Sequence, residues 1–391
     1  MTGLPLVVRN WRIDHESNGT RVSADVGDMN VWFRIPPGVA AAETGDAFLA
    51  VALIPAMALG AGLDLTALPP ISSELLGRLG DIQDIWTSWN PLMHRIDVRA
   101  NQRPSRAATM SGGAAFFSGG VDALFTALER RADLDQLVFI NGFDFNMTAD
   151  VFAVARARVA RQAALLGMPL VAIETNWIDF TRRHRIARTT SYGGALAGVA
   201  LLLAPERMVI ASSYTYARLV PNGSHPLLDP LWSTGTTQIE HYGCQARRNE
   251  KLMAIVKHPE FLQELWVCHR DPVKNCGTCP KCLRLRLSLW LVGKDQLAFP
   301  AASGDPVAAW CRVAHHHSER SYLADFTLMA HECGRDDAVR RLNATAQRLR
   351  LRGLGHLADA ALFGGAISRI RRRGSETPDL LPSGIGREPE W

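Results

Sequence analysis

The sequence predicts an α/β protein built around a parallel sheet, with a mixed α+β domain before the sheet and a cysteine module and a small helical region after it. Three observations carry this prediction. From Phe116 onwards, short apolar runs alternate with helical patterns, which is typical of parallel strands joined by helices. A Ser-Gly-Gly turn directly follows the first apolar run, at residues 118–120. Four cysteines then crowd into the fifteen residues from Cys268 to Cys282.

The N-terminal part of the chain has the pattern of a separate domain, residues 1–105. Three segments alternate apolar and polar residues as antiparallel strands do: Leu6–Ile13, Thr20–Val26 and Val31–Ile35. An apolar stretch, a helical pattern and a last short strand follow, at Phe48–Met57, Ser72–Trp89 and His94–Arg99. Residues 101–105, Asn-Gln-Arg-Pro-Ser, have the composition of a linker. We expect this domain to recognise a partner or to shape a substrate pocket.

Residues 110–262 hold the predicted parallel sheet. Its later strands are Leu137–Ile140, Leu170–Ile173 and Met208–Ala211, and its helices are Ala149–Leu166 and Gly194–Leu203. Residues 263–295 form the predicted cysteine module. Residues 296–373 form a helical region, with helices at Ser321–Ala330 and Asp337–Leu349. Residues 374–391 are rich in proline, glycine and charge and are predicted to be a disordered tail.

The composition excludes several classes of protein. Of 391 residues, 47% are hydrophobic and 21% charged, which is typical of a globular chain. The N-terminus lacks the pattern of a signal peptide, and the apolar segments Phe48–Leu59 and Gly193–Leu203 are too short to span a bilayer. We therefore expect a cytoplasmic protein without membrane contact. A net charge of +5 and clustered arginines leave RNA open as a partner without favouring it.

Residues 118–122, Ser-Gly-Gly-Val-Asp, are the most informative motif of the chain. Glycines let backbone N–H groups approach a phosphate because no Cβ stands in the way, and the following helix directs the positive end of its dipole to the same point. We predict that Ser118, Gly119, Gly120, Val121 and Asp122 bind nucleotide phosphate, most simply that of ATP. The alternative is a tight turn between a strand and a helix.

Polar residues also follow the other predicted strands. Ligands of parallel sheets bind beyond the carboxyl ends of the strands. This rule places Gly142, Asp144, Thr175, Asn176, Ser212 and Ser213 around the crevice that contains Ser118. We predict nucleotide contacts for Gly142, Thr175 and Asn176, although all three could equally be ordinary turn or cap residues.

The segment Pro221–Arg248 is dense in polar and aromatic residues, and its prolines exclude a regular element from its first half. We predict a shaped loop at the functional end of the sheet. His225 could carry a proton near neutral pH, and Asp229 or Glu240 could accept a proton from an attacking amine or ammonia. The alternative is a packed surface loop whose polar groups satisfy its own backbone.

Three cations follow this loop on a predicted helix. They are Arg247, Arg248 and Lys251. One or more of them could neutralise charge on the α-phosphate of ATP or on the leaving pyrophosphate, and we predict Lys251 as the catalytic cation.

Cys268, Cys276, Cys279 and Cys282 have the spacing of a metal site. Zinc takes four soft ligands at tetrahedral corners, and a Cys-x-x-Cys turn brings two thiolates to one ion. We predict a structural zinc site. An iron–sulfur cluster on three of the cysteines is the main alternative, and a redox pair is less favoured because it needs no further cysteines. Nearby basic residues would offset part of the thiolate charge: Lys274, Lys281, Arg284 and Arg286.

Two motifs resemble those of a known family. Residues 118–122 resemble the Ser-Gly-Gly-x-Asp-Ser signature of the PP-loop ATP pyrophosphatases, with Ala123 in place of the last serine. The run Cys-Gly-x-Cys-Pro-x-Cys-x-x-x-Arg that starts at Cys276, with Cys268 upstream, is similar to the zinc motif of 7-cyano-7-deazaguanine synthase and its relatives. The resemblance covers residues 114–292, and both motifs stand in the family's order. It implies a PP-loop ATPase domain with a HUP-like parallel sheet.

The resemblance also implies an adenylating ligase. Enzymes of that family activate a carboxylate as an acyl-adenylate, from which ammonia displaces AMP, and a second ATP-dependent step converts the amide to a nitrile. For this chain it implies ATP at Ser118, Gly119, Gly120 and Asp122, Mg²⁺ to neutralise the triphosphate, and Zn²⁺ on the four cysteines. We expect a small-molecule carboxylate and ammonia as substrates. A protein or peptide held by the N-terminal domain is a further candidate acceptor, and a homodimer is left open.

Two other functions remain open from the sequence. A tRNA-thiolating enzyme shares the ATP motif and needs a cysteine in the crevice, which Cys244 could supply. The second is a module that binds ATP or a partner but has lost catalytic turnover. The replacement of the signature serine by Ala123 is the direct support for this function.

Overall fold

The computed structural model of the protein describes residues 3–104, 108, 110–299, 303–315 and 317–363. The chain forms two compact units, of which the first runs to Lys251 and the second begins at Leu252. The tail predicted for residues 374–391 lies outside the described residues. Within the described part of the chain, no helix combines the length and the apolar character that a membrane crossing requires.

The first unit alternates strands and helices along most of its length. Its elements are β1 (Gly3–Glu16), β2 (Gly19–Val26), β3 (Met29–Ile35), α1 (Asp46–Leu59), β4 (Ala61–Asp64), β5 (Ile71–Ser72), α2 (Ser73–Trp89), β6 (Val98–Arg99), β7 (Gln102–Arg103), β8 (Met110–Phe116), α3 (Val121–Glu129), β9 (Gln136–Asn141), α4 (Ala149–Leu166), β10 (Leu170–Thr175), α5 (Trp177–Arg183), α6 (Arg188–Leu203), β11 (Pro205–Ala211) and β12 (Gln238–Tyr242). Helix α7 (Arg248–Val256) contains the division between the units.

A large, mostly parallel sheet organises the first unit. Its ten strands lie in the order β12-β11-β8-β9-β10-β3-β2-β1-β4-β6, and β5 pairs with β7 separately. The strands from β12 to β10 are parallel. The N-terminal strands β1, β2 and β3 are antiparallel to one another, as their alternating sequences predict. Strand β3 then pairs antiparallel with β10, so the N-terminal strands continue the same sheet. The linker predicted at residues 101–105 therefore does not separate two sheets.

Helices α1 and α6 are apolar on nearly every side and lie in the core of the first unit. Such helices need burial on all faces. Glycine in α6 permits a close approach, since a Cβ at Gly194 would lie 2.4 Å from the carbonyl oxygen of Ala50 in α1. This contact packs the N-terminal part of the chain against a helix of the parallel sheet. The first unit thus has one shared core.

Most predicted elements are confirmed with small changes in their bounds. The predicted helix Ala149–Leu166 has those bounds in the structure, and the predicted strand His94–Arg99 is reduced to Val98–Arg99. Strand β12 lies within the segment that was predicted as a loop.

The second unit is helical. Its elements are α8 (Pro280–Leu291), α9 (Asp295–Ala298), α10 (Pro306–Cys311), α11 (His317–Arg320), α12 (Leu323–Glu332) and α13 (Asp336–Phe363). Its core includes Leu287, Trp310, Phe326 and Leu342, all fully buried. The helices predicted at Ser321–Ala330 and Asp337–Leu349 are confirmed as α12 and as part of α13.

Candidate functional site

The strand order reverses at β8. From β8 the chain continues to β9 and β10 on one side, and then crosses to β11 and β12 on the other side. Ligands of open α/β sheets bind at such a reversal of strand order, beyond the carboxyl ends of the strands. Ser118 follows β8, and Ser212 and Ser213 follow the neighbouring strand β11. The predicted phosphate motif therefore lies at the reversal point.

The Ser-Gly-Gly turn has a backbone that only glycine adopts readily. Gly119 has φ +75°, and a Cβ there would lie 2.9 Å from Oε1 of Gln162. Gln162, fully buried on α4, donates through Nε2 to the Gly119 carbonyl at 3.3 Å. Gly120 is the N-cap of α3 and provides no side-chain cap. The first N–H groups of α3 have no acceptors within the helix, so the turn presents them beside exposed Ser118.

Asp122, in the first turn of α3, is the centre of a charged cluster. Its carboxylate accepts hydrogen bonds from Nη1 of Arg248 at 2.6 Å and from Nζ of Lys251 at 3.3 Å. Ser213 donates to the same carboxylate at 3.4 Å. Lys251 also donates to the carbonyl of Ser212 at 2.6 Å. These contacts join α3, the end of β11 and α7 into one site, although Asp122 and Lys251 lie 129 residues apart in sequence.

The cluster brings two cations to one carboxylate. Arg248 and Lys251 converge on the single carboxylate of Asp122. Lys251 is 1% exposed, and few lysines are buried so completely without a counter-charge. Two cations at the N-terminus of α3 favour an anion in the crevice, because they add to the partial positive charge of the helix end.

The residues predicted from the ends of β9 and β10 lie in well-satisfied turns. Gly142 has φ +103°, and a Cβ there would lie 1.8 Å from the carbonyl oxygen of Thr175. The buried hydroxyl of Thr175 accepts a hydrogen bond from the N–H of Trp177. Asn176 accepts from the N–H of Trp32 at 2.9 Å and donates to the carbonyl of Asn30 at 2.8 Å. The Asn176 amide thus ties the end of β10 to β3.

Asp144 is exposed at the same end of the sheet. It forms an ion pair with Arg188 at 2.7 Å.

The polar loop residues are engaged with one another. His225 is buried, accepts a hydrogen bond from the N–H of Leu227 through Nδ1, and packs edge-on against Trp89. Burial lowers the pKa of His225, and the charge on His241 lowers it further. A neutral imidazole in this setting packs in the core. Glu240, on β12, pairs with two arginines, Arg130 at 2.9 Å and Arg207 at 2.8 Å.

Asp229 holds a second histidine of the segment, which was not singled out from the sequence. The Asp229 carboxylate is fully buried and accepts from the Ser224 hydroxyl at 2.7 Å and from Nδ1 of His241 at 2.7 Å. Burial alone would lower the pKa of His241. The hydrogen bond to Asp229, the neighbouring thiol of Cys244 and the charge of Asp229 outweigh burial and raise that pKa to about 9.

Cys244 completes this arrangement. Its thiol lies 3.2 Å from the hydroxyl of Ser212 and is 2% exposed. Burial alone would raise the pKa of Cys244, but the neighbouring imidazole of His241 and the hydrogen bond with Ser212 lower it below its ordinary value. Asp229 binds His241, and Cys244 lies three residues further along the chain. Carboxylate, imidazole and thiol, in contact in that order, are the groups that activate a cysteine nucleophile.

The four clustered cysteines of the second unit could hold a metal ion. Their sulfur atoms all lie within 4.8 Å of one another. Two of the separations, Cys268 to Cys279 and Cys276 to Cys282, are 3.9 Å. A tetrahedral ion with metal–sulfur bonds of about 2.3 Å places its sulfurs about 3.8 Å apart. The donor set therefore fits one tetrahedral ion with little movement.

Backbone hydrogen bonds support the thiolate charge of this cluster. Cys268 accepts from the N–H groups of Arg270 and Asp271, at 3.4 and 3.2 Å. Cys279 is the N-cap of α8 and accepts from the N–H of Cys282 at 3.4 Å. N–H donors and a helix N-terminus are what a thiolate ligand requires.

The arginines predicted to offset the thiolate charge have other contacts. Arg284 pairs with buried Glu319 at 3.3 Å and stacks on Tyr322. Arg286 donates to the carbonyl of Gly304.

No family model, curated protein or solved structure matches this chain. Its function is therefore inferred from the geometry of the sites described above.

Proposed function

We propose that the protein is an ATP-dependent adenylating ligase of the PP-loop type, similar to 7-cyano-7-deazaguanine synthase. It converts a small-molecule carboxylate to an adenylate with release of pyrophosphate, and ammonia or an amine then forms a C–N bond. One observation carries the proposal. The Ser-Gly-Gly turn lies at the reversal point of a parallel sheet, and two cations converge on the helix that follows the turn.

The parts of this site suit a triphosphate. Backbone N–H groups at the start of α3 would bind phosphate oxygens, and Mg²⁺ would neutralise the remaining charge. Ala123 lacks the hydroxyl of the PP-loop signature, but the residue is 7% exposed. At so buried a position the backbone N–H is the group that can face a ligand. This favours a working phosphate site over a module that has lost turnover.

Lys251 and Arg248 provide the electrostatic part of the chemistry. When the carboxylate attacks the α-phosphorus, charge builds on the α-phosphate and on the leaving pyrophosphate. Fixed cations in a buried site stabilise this charge without reorganising, and the loss of one such group typically costs about 100- to 1,000-fold in rate. Asp122 holds both side chains in place, so we propose Asp122 as a positioning residue.

The experiment is a measurement of AMP and pyrophosphate. The full chain is incubated with ATP, Mg²⁺ and ammonium, together with a panel of carboxylates that includes a carboxylated deazaguanine. We expect AMP formation that depends on one carboxylate, and a fall of about 100-fold or more for Lys251→Met. The Asp122–Arg248 ion pair remains in that variant, so it should fold. Lys257→Met changes an exposed lysine near the end of α7 and serves as the matched control. ATP binding with no AMP from any carboxylate would contradict the proposal.

We further propose that the cysteine cluster holds a structural zinc ion. The proximity of four sulfurs, all within 4.8 Å of one another, supports it, because four thiolates complete the coordination of zinc and leave no open position for catalysis. Metal analysis of the purified protein should find about one zinc per chain. Iron with the visible absorbance of a cluster would contradict zinc.

A further inference from the structure

We infer that Cys244 is a second catalytic group of the same site: a thiol that takes the acyl group from the adenylate and passes it to the attacking amine as a thioester. His241 and Asp229 are its positioning residues. The acyl transfer rests on the proposed function. The assignment of a reactive thiol rests on the geometry alone.

The first observation is the chain of contacts behind the thiol. Asp229 is 0% exposed and binds Nδ1 of His241 at 2.7 Å, which fixes the orientation of the ring. The Ser224 hydroxyl and the N–H of His225 donate to the same carboxylate, so it is held on both oxygens. A carboxylate that is oriented in this way keeps a proton on Nδ1 and stabilises the imidazolium form.

The second observation is that Nε2, the other ring nitrogen of His241, is buried. The His241 side chain is 4% exposed, and Nε2 is buried without a hydrogen-bond partner of ordinary geometry among the described residues. A buried nitrogen of this kind needs a partner, because its desolvation is otherwise uncompensated. Cys244 is close enough for each group to shift the pKa of the other, the thiol downwards and the imidazole upwards. Both shifts favour transfer of the thiol proton to the imidazole.

The thiol and the phosphate cluster share Ser212. The hydroxyl of Ser212 contacts Cys244 at 3.2 Å, and its carbonyl accepts from Lys251 at 2.6 Å. Lys251 in turn binds Asp122 at the start of α3. The charge on Lys251 also lowers the pKa of Cys244. One residue therefore links the cation proposed to act at the α-phosphate with the thiol.

The chemistry balances without a further reactant. In the reactive form of the pair the thiol proton is on His241 and Cys244 is a thiolate. Its sulfur attacks the acyl carbon, the S–C bond forms, and the bond from that carbon to the AMP oxygen breaks, with the electron pair leaving on AMP. Ammonia then attacks the thioester, the N–C bond forms and the C–S bond breaks. The sulfur recovers its electron pair as thiolate, and the nitrogen releases one proton to solvent to give the amide.

Burial of the thiol fits this role. A thioester at a position that is 2% exposed is protected from hydrolysis. The backbone N–H of Tyr216 bonds to the carbonyl of Cys244 at 3.0 Å, so the segment that follows β11 lies against the cysteine. We expect this segment to move when an acyl group enters.

The first experiment tests the reactive thiol without any substrate. The full chain is treated with iodoacetamide from pH 5.5 to 9.5, and alkylation of Cys244 is followed by peptide mass spectrometry. We expect Cys244 to react with a midpoint below its ordinary pKa of about 8.5, and His241→Gln to slow the reaction at pH 7 by about 10-fold or more. Cys333, whose pKa burial raises, is the internal reference. The inference would be overturned if Cys244 were alkylated at the same rate in wild type and in His241→Gln. It would also be overturned if Cys244 were not alkylated at any pH.

The second experiment tests acyl transfer. The protein is given MgATP and the active carboxylate of the panel without ammonium, and is then quenched with acid. We expect an acyl mass on Cys244 that hydroxylamine removes. Cys244→Ser should still release pyrophosphate in its first turnover, but should lose amide formation by about 1,000-fold. Cys333→Ser should behave as wild type.

The outcomes separate the two proposals. If the wild-type protein forms no AMP, the proposed function fails and the acyl transfer fails with it, and the alkylation experiment alone judges the thiol. If AMP forms but Cys244→Ser makes amide at the wild-type rate, only the thioester fails. A gain of a single sulfur atom on Cys244 would overturn the thioester in favour of sulfur transfer.

Discussion

Replacing Asp229 by Asn removes the charge that keeps His241 protonated inside the protein. The pKa of His241 is about 9 in the folded protein and about 6.5 in an unfolded chain. This difference of about 2.5 units corresponds to about 3 kcal/mol of stability, at roughly 1.4 kcal/mol per unit. Because the folded pKa is the higher one, this stability is fully present below about pH 6.5. It is lost as the pH rises to about 9.

The variant should therefore be least stable, relative to wild type, at low pH. We expect Asp229→Asn to lower the melting temperature by about 6–12 °C at pH 6, since 1 kcal/mol shifts it by about 2–4 °C in a unit of this size. At pH 9.5 wild type has lost this contribution, and the difference should shrink by more than half. Thermal unfolding followed by circular dichroism at pH 6 and pH 9.5 measures the difference in melting temperature. Hydrogen exchange of β12 peptides assigns the change in stability to the first unit.

Asp14→Asn is the matched control, because it removes an exposed carboxylate from β1. We expect its melting temperature to follow that of wild type at both pH values. A destabilisation by Asp229→Asn that is equal at pH 6 and pH 9.5 would refute the reasoning. It would show that Asp229 acts through its hydrogen bonds to Ser224 and His225 and not through the charge on His241.

Three further predictions concern the surroundings of both sites. Gly142→Ala, at φ +103° and 1.8 Å from a backbone carbonyl, should destabilise far more than Gly277→Ala, at φ +71° with open space around it; denaturant midpoints compare the two. Removing the metal with a chelator, or changing Cys279→Ser, should lower the melting temperature and the helical signal of the second unit, with α8 affected first. Asn176→Ala removes two hydrogen bonds to the backbone of β3 and should cost about 1–3 kcal/mol, with faster amide exchange at Trp32.

Local sequence patterns predicted most of the secondary structure. Apolar periodicity located α4 and the buried strands β9, β10 and β11, because each of them must bury its own apolar residues. Strand β12 was missed for a physical reason. Its sequence, Gln-Ile-Glu-His-Tyr, is mostly polar, and it lies at the edge of the sheet, where pairing with β11 decides its conformation.

The extent of the N-terminal part was equally hard to predict from local sequence. Strand β3 pairs with β10, and α1 packs against α6, more than a hundred residues away in sequence. The antiparallel pattern was visible in β1, β2 and β3, but no local pattern shows which other strand the last of them will join. Tertiary pairing therefore decided the organisation of the first unit.

The same distinction applies to the site. The Ser-Gly-Gly turn and the four cysteines are short motifs, so the sequence was enough to predict them. The partners of Asp122 were only partly visible, since Lys251 was chosen for its charge and not for its contact. Asp229 was expected to accept a proton from an amine. Its full burial and its bond to His241 instead indicate a group that orients an imidazole. A signal existed in Glu-His-Tyr-Gly-Cys, which places His241 three residues before Cys244 at the end of a strand.

The position of Ser212 explains why activation and transfer would occur at one end of the sheet. β11 is the neighbour of β8 at the reversal point, so the residue after β11 lies between the phosphate turn and the residues after β12. Its carbonyl fixes the cation and its hydroxyl contacts the thiol. The cation proposed to act at the α-phosphate and the thiol proposed to accept the acyl group therefore share Ser212 as a neighbour. In that arrangement the missing hydroxyl at Ala123 leaves the acyl-transfer route intact.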